Sequence, residues 1–193
     1  MAFSDNIWWT RKAKIHAEKR ILSNAFQAQI LLLWYSFFGV AVSIYYLKTS
    51  SQEDNVSGIA WVIYSVLVLC ISGFINGLSF KERAGLIKEC YETLNNIYRR
   101  VKHYESLNSP DLSTEKFSEE YEQILGVCEN HLTIDYYSAL CESYLTTESK
   151  ELNRVPTKYI WLYVAWYKIK RLLIMILFYL LPVAIFLQLR CID

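Results

Sequence analysis

The sequence predicts an all-α fold: an integral membrane helical hairpin, a cytoplasmic helical lobe, and a third membrane helix toward the C-terminal end. Three observations carry this expectation. The runs Ile30–Leu47, Ile59–Phe80 and Leu172–Leu189 contain no charged residue, and each as a helix approaches the thickness of a bilayer core. Hydrophobic residues make up 53% of the chain against 20% charged, an apolar excess over soluble domains. With 6 glycines and 3 prolines in 193 residues, the chain is poor in the turn formers that a many-stranded protein needs.

Residues 1–29 read as a basic amphipathic neck helix. The stretch WWTRKAKIHAEKR holds Arg11, Lys12, Lys14, Lys19 and Arg20 against a single acid, Glu18. Trp8, Ile15, Leu22 and Phe26 share a stripe only about 40° wide, too narrow for a helix lying flat on lipid. It suits a helix packed along a neighbour and running toward the first span. A cleavable signal peptide is not expected, because the apolar run starts near residue 30, is long for such a segment, and lacks a small-residue cleavage site after it.

Residues 30–80 form the expected transmembrane hairpin, with spans at 30–47 and 59–80 joined by the polar segment KTSSQEDNVSG. A buried hairpin in a soluble protein is disfavoured, since so small a chain has little other mass to cover it. Residues 81–158 make up a helical, acidic lobe. Leu86, Cys90, Leu94, Ile97, Val101 and Tyr104 recur at helical spacing, on a helix expected to continue the second span. Pro110 breaks it, with Asp111 or Ser113 as the next N-cap. Phe117, Tyr121, Ile124, Cys128 and Leu132 mark the face of a second helix, residues 134–145 a third, and 146–156 a polar linker.

Residues 159–193 begin with an aromatic approach, Tyr159, Trp161, Tyr163, Trp166 and Tyr167, followed by Lys168, Lys170 and Arg171. Aromatics and then basic residues at an apolar boundary are the composition of a membrane–water interface. The apolar segment 172–189 contains Pro182 and reads as a span or a shallow re-entrant segment. The span is favoured, because proline is tolerated there when neighbours satisfy the freed carbonyl.

Charge orients the hairpin. Basic residues precede the first span, and Lys81, Arg83, Lys88, Arg99, Arg100 and Lys102 follow the second, while the connecting loop has only Lys48 beside Glu53 and Asp54. The positive-inside rule then places the N-terminus in the cytoplasm and the 48–58 loop outside. Lys81 and Arg83 join the neck cations as orientation and headgroup residues.

Chemistry finds little to stand on. No GxGxxG, P-loop, GxSxG or HExxH motif occurs. Cys128 and His131 offer a loose pair without a second half, so no metal site is expected, and no catalytic residue or cofactor. Five cysteines without a CxxC pair read as reduced thiols. From His103 to Asn153 there are eleven acids against two lysines, a formal net charge of −9. That disfavours nucleic-acid binding by the lobe and leaves a solvated face or a docking surface for a basic partner. Binding of nucleic acid by residues 8–20 is the weakest reading.

The spans carry a sharper pattern. Gln29, Ser36 and Ser43 recur every seven residues, as do Ser65, Ser72 and Ser79, beside Asn76 and a GxxxG of Gly73 and Gly77. Small residues permit close helix contacts, and polar ones hydrogen-bond across them. The same stripes also fit a water-filled path made by several subunits. The two roles are compatible, because two or three spans cannot enclose a path without assembling, and a homo-oligomer in the bilayer is expected.

The opening stretch resembles the N-terminal signature of SLATT-domain proteins, in which an aromatic pair and an RK-rich helix with an acid precede two membrane helices. The matching residues are Trp8, Trp9, Arg11, Lys12, Ile15, Ala17, Glu18, Arg20 and Leu22. The segment ENHLTIDYY, with Asn130, His131, Asp135 and Tyr136, is similar to an asparagine–histidine then aspartate–tyrosine motif of some members. The resemblance covers most of residues 5–145. It implies a bacterial inner-membrane effector of antiphage defence that oligomerises to form a pore or disrupt the membrane. It also implies activation by a partner encoded nearby, a reverse transcriptase or a nucleotide-signalling enzyme, and the sequence looks most like the reverse-transcriptase branch. The third apolar run departs from a two-span pattern. The alternative is a membrane-tethered adaptor whose acidic lobe docks a partner enzyme.

Overall fold

The computed structural model describes residues 2–49, 55–107, 112–147 and 152–190. These residues are helical with no strand, as expected: α1 (Phe3–Thr49), α2 (Asn55–Gly77), α3 (Phe80–Ser106), α4 (Leu112–Val127), α5 (Thr133–Thr146) and α6 (Lys158–Arg190). Three helices are long and apolar enough to cross a membrane. The chain divides into two compact units: a lobe of residues up to Ser23 with Phe80–Lys168, and a membrane unit of Asn24–Ser79 with residues from Ile169 onward. The expected N-cap Asp111, the side chain of Ser113, residues 50–54 and the side chains of the 48–58 loop, and part of the 146–156 linker lie outside the described residues.

In the lobe, α3 and α4 pair antiparallel. Tyr104 meets Phe117, Arg100 meets Glu120, and Cys90 meets Cys128, so one helix descends as the other rises. Cys90, Leu94, Ile97 and Val101 are buried with Ile7 of α1 against Phe117, Tyr121 and Ile124. Each such aliphatic burial contributes about 1.5–3 kcal/mol. A second cluster joins Ala17 and Ile21 of α1 to Ala84 and Ile87 of α3. A third joins Ile134 and Cys141 of α5 to Val164 of α6. Thr157 starts α6, its hydroxyl accepting from the Ile160 N–H at 3.4 Å, the N-cap contact that satisfies a first-turn donor.

Several expectations are corrected here. The buried face of α1 runs through Ile7, Ala13, Ala17 and Ile21, while Leu22 is 42% and Phe26 60% exposed. Its small residues let α3 approach closely, and the large apolar side chains that defined the expected stripe lie off that contact. On α3, Ile87 takes the buried position expected of Leu86, which is 62% exposed. The second span does not run on into α3. Ile75 and Asn76 carbonyls accept from Leu78 and Ser79, and Ser79 adopts φ 45°, which breaks the helix between Gly77 and Phe80. The cysteines are not all thiols either: Cys90 and Cys128 form a disulfide, and Cys70 and Cys141 are free. The buried α3–α4 contact brings two distant cysteines to a Cα separation of 6.2 Å, within bridging range.

In the membrane unit, α1 and α2 pair antiparallel, with Tyr35 stacked on Tyr64 and Phe38 against Trp61. A Cβ on Gly39 would lie 3.2 Å from the Tyr64 ring, so glycine admits that ring to α1. α6 runs parallel to α1, since Trp34 reaches Tyr179 and Phe38 reaches Phe186. The aromatic approach and the third apolar run are one helix, with Pro182 fully buried inside it.

Candidate functional site

Two groups of side chains stand out, one in each unit. In the lobe, α1 is tied to the segment that leads into α5. The Arg20 guanidinium donates to both carboxylate oxygens of Asp135, at 2.8 and 3.0 Å. Asp135 is 2% exposed and also accepts from the Leu132 N–H, holding the first turn of α5. Lys14 is fully buried and donates to the Glu129 carbonyl. Arg83 of α3 closes the ring as a bidentate partner of the Glu129 carboxylate.

The chemistry of this ring is perturbed. Burial lowers the Lys14 pKa, against the attraction of Glu129. Burial likewise lowers His131 and His16, with Lys14 adding to the effect on His131. The hydrogen bond from Arg83 lowers Glu129, and the bond to Asp135 raises Arg20. Nδ1 of His131 is buried without a hydrogen-bond partner among the described residues. Beside it lies a cavity of about 420 Å³ lined by Trp9, Tyr121, His131, Tyr136 and Arg154.

The motif residues of the neck and of the ENHLTIDYY segment therefore converge. Trp9 packs edge-on to Trp8 and to Tyr136, and Arg154 lies 5.9 Å over both Trp9 and Tyr136. Arg154 also donates to Asn6 Oδ1 and to the Tyr136 hydroxyl. Glu18 accepts from Tyr91, whose hydroxyl is pushed up to about 12, first by burial and then by that bond. Asn130 is exposed. Among the described residues no group of three or more His, Cys, Asp or Glu side chains is placed to hold a metal.

The neck cations meet protein partners. Arg11 donates to Asn95, Lys12 stands 5.3 Å over Trp8, and Lys19 lies 3.5 Å from Glu142, besides the Lys14 and Arg20 contacts above. Lys81 is exposed. Sequence reasoning missed the burial of Lys14 and the clamp made by Arg154. Neither has a local signal, because lysine and arginine are ordinarily surface residues and their partners lie far along the chain.

In the membrane unit, Ser36 and Ser43 of α1 and Ser65 of α2 line one groove of about 340 Å³ with Gly39 between them. Ser43 and Ser65 donate to carbonyls one turn back, Gly39 and Trp61, so their hydroxyls are satisfied without water. Ser72, Gly73, Asn76 and Gly77 do not line it. Gly73 and Gly77 have open space where a Cβ would stand, and so make no close contact within the described residues of one chain.

The family model described as "SMODS and SLOG-associating 2TM effector domain family 5" matches residues 2–188. No match was found among curated proteins or among solved structures.

Proposed function

The chain belongs to the SMODS and SLOG-associating 2TM effector domain family 5, and from that premise we propose that it is the membrane effector of a bacterial antiphage defence system. It oligomerises in the inner membrane and forms a pore or disrupts the bilayer when a partner or nucleotide signal activates it. The lobe and the N-terminus face the cytoplasm and the 48–58 loop faces outward. Lys81 and the exposed neck cation Lys19 meet anionic headgroups.

The observation that supports this best is the groove at Ser36, Gly39, Ser43 and Ser65. Small and hydroxyl side chains at membrane depth mark a face that another helix can approach closely, or one that faces water once subunits assemble. The open face at Gly73 and Gly77 offers a second such contact, with Ser72 and Asn76 beside it. Parallel α1 and α6 give both helices one direction across the bilayer, which agrees with cytoplasmic basic flanks before each.

The adaptor alternative rests on free acids in the lobe. Glu105, Glu120, Glu129, Asp135 and Glu142 already take donors inside it, which reduces the charge left for a partner. Dye influx in cells carrying the protein with its neighbouring genes, challenged by phage, tests the proposal. Entry of dye during defence is expected. Intact membranes during an effective response would overturn the pore.

A further inference from the structure

A second cleft of the membrane unit has a different character from the serine groove. It holds about 290 Å³ between α1, α2 and α6, walled by Leu31, Leu32, Val68, Ile71, Phe178 and Leu181. Tyr35 also lines it, but its hydroxyl is bonded to the Phe178 carbonyl. Tyr35 stacks on Tyr64, which joins α1 to α2 there. The cleft extends from that stack toward Ala28 and Ile75, at the end of the unit where α1 enters from Asn24.

Three kinds of occupant are conceivable, and the walls choose between them. Water needs two to four polar partners, and these walls are aliphatic and aromatic. A transmembrane helix is about 10–12 Å across and packs through small residues, whereas this cleft holds only about 290 Å³ and all of its lining but Ala28 is large side chains. A hydrocarbon chain is slender, flexible and apolar, and the bilayer supplies it at this depth.

The mouth adds charge. Arg171 precedes Phe178 by seven residues, so it shares that face of α6 and stands about 10 Å nearer the entry end. Arg171 is half-buried and Lys170 beside it is exposed. An apolar slot with a guanidinium about two turns away matches the chemistry of a phospholipid, a tail joined to an anionic phosphate.

We propose that the cleft between α1, α2 and α6 holds one acyl chain of a membrane phospholipid, with its phosphate at Arg171. The proposal goes beyond the effector function and rests only on insertion of the chain into a bilayer. Resistance to carbonate extraction checks insertion separately, and a chain released by carbonate would overturn that premise rather than the shape of the cleft.

Native mass spectrometry of the full chain in detergent tests the proposal. The wild type is expected to retain one phospholipid per chain at activation energies that strip loosely held lipid. Ile71→Phe, a mild filling, and Leu31→Trp, a fuller one, both at residues that line this cleft and not the serine groove, should each lower the retained fraction about tenfold, or about 1.4 kcal/mol. Leu33→Trp, at a site 67% exposed and outside the cleft, should retain lipid as the wild type does. Delipidated protein given phosphatidylglycerol or phosphatidylcholine should prefer the former, and Arg171→Gln should abolish that preference. A wild type that retains no lipid, or filled variants that retain it undiminished, would overturn the proposal. Filled variants that lose subunits while lipid stays unchanged would assign the cleft to a second copy of the chain and overturn it too.

Discussion

The Tyr35 hydroxyl donates to the Phe178 carbonyl at 2.9 Å. That carbonyl lies four residues before Pro182, and proline has no N–H with which to complete the helical bond. The Trp34 indole donates to the next carbonyl, Tyr179, at 3.1 Å. Two adjacent aromatic residues of α1 thus supply donors at the proline site of α6, where no solvent is at hand.

The pair predicts a specific coupling. Tyr35→Phe should destabilise the membrane unit by about 1–3 kcal/mol, the cost of leaving an acceptor unsatisfied at a depth where the bilayer offers no donor. In a Pro182→Ala background, where an N–H returns, the same change should cost less. Unfolding in mixed micelles for the four proteins measures the difference. Equal costs in both backgrounds would show that the bond does not answer the proline.

Removing one member of the Arg20–Asp135 pair leaves the other charge buried. Arg20 is 15% and Asp135 2% exposed at the side chain, so screening by solvent is weak. Arg20→Met should cost about 3–5 kcal/mol. Asp135→Ala should cost at least as much, because it also releases the Leu132 N–H at the start of α5. Thermal melting of the full chain in detergent, followed by circular dichroism, reads both losses.

Acid should weaken the lobe. His16 and His131 have folded pKa values below the ordinary 6.5, so as pH falls through 6.5 the unfolded chain takes up protons that the folded chain refuses. Stability is therefore full above 6.5 and declines below it. Glu129, lowered from 4.5 by Arg83, adds a further loss as pH falls through that value. Replacing both histidines by glutamine should flatten the first decline and leave the second. Melting temperature against pH from 8 to 4 checks the sign.

The Cys90–Cys128 disulfide closes a loop between residues separated by 38 in sequence. Reduction should lower lobe stability by about 2–4 kcal/mol, chiefly by freeing the unfolded chain. The Cys90→Ser, Cys128→Ser double variant should melt at the temperature of the reduced wild type. A melting temperature that reductant does not change would show that the bridge adds nothing to the lobe.

The two glycine environments predict opposite outcomes. Gly39→Val should disturb the hairpin, because even a Cβ meets the Tyr64 ring at 3.2 Å. Gly73→Val and Gly77→Val meet open space in one chain, so they should leave the monomer's melting unchanged and weaken its self-association. Analytical ultracentrifugation beside melting curves separates these effects.

The sequence by itself determined the helical class, the three apolar segments and most of the residues that form the α3–α4 face, though not Leu86 or Leu132, which are exposed. Length without charge and helical spacing are local properties, and burial at Cys90, Leu94, Ile97 and Val101 followed them. It also identified the motif residues Trp9, His131, Asp135 and Tyr136, and noted that a proline in a membrane helix calls for a substitute donor. Only the tertiary structure decided which face of α1 is buried, because alanines that fit against a neighbour carry little signal until that neighbour is known. The same holds for Lys14 inside the lobe, the Cys90–Cys128 bridge, and Tyr35 as the donor to Phe178. Each depends on where a partner far along the chain is brought, and periodicity contains no term for that distance.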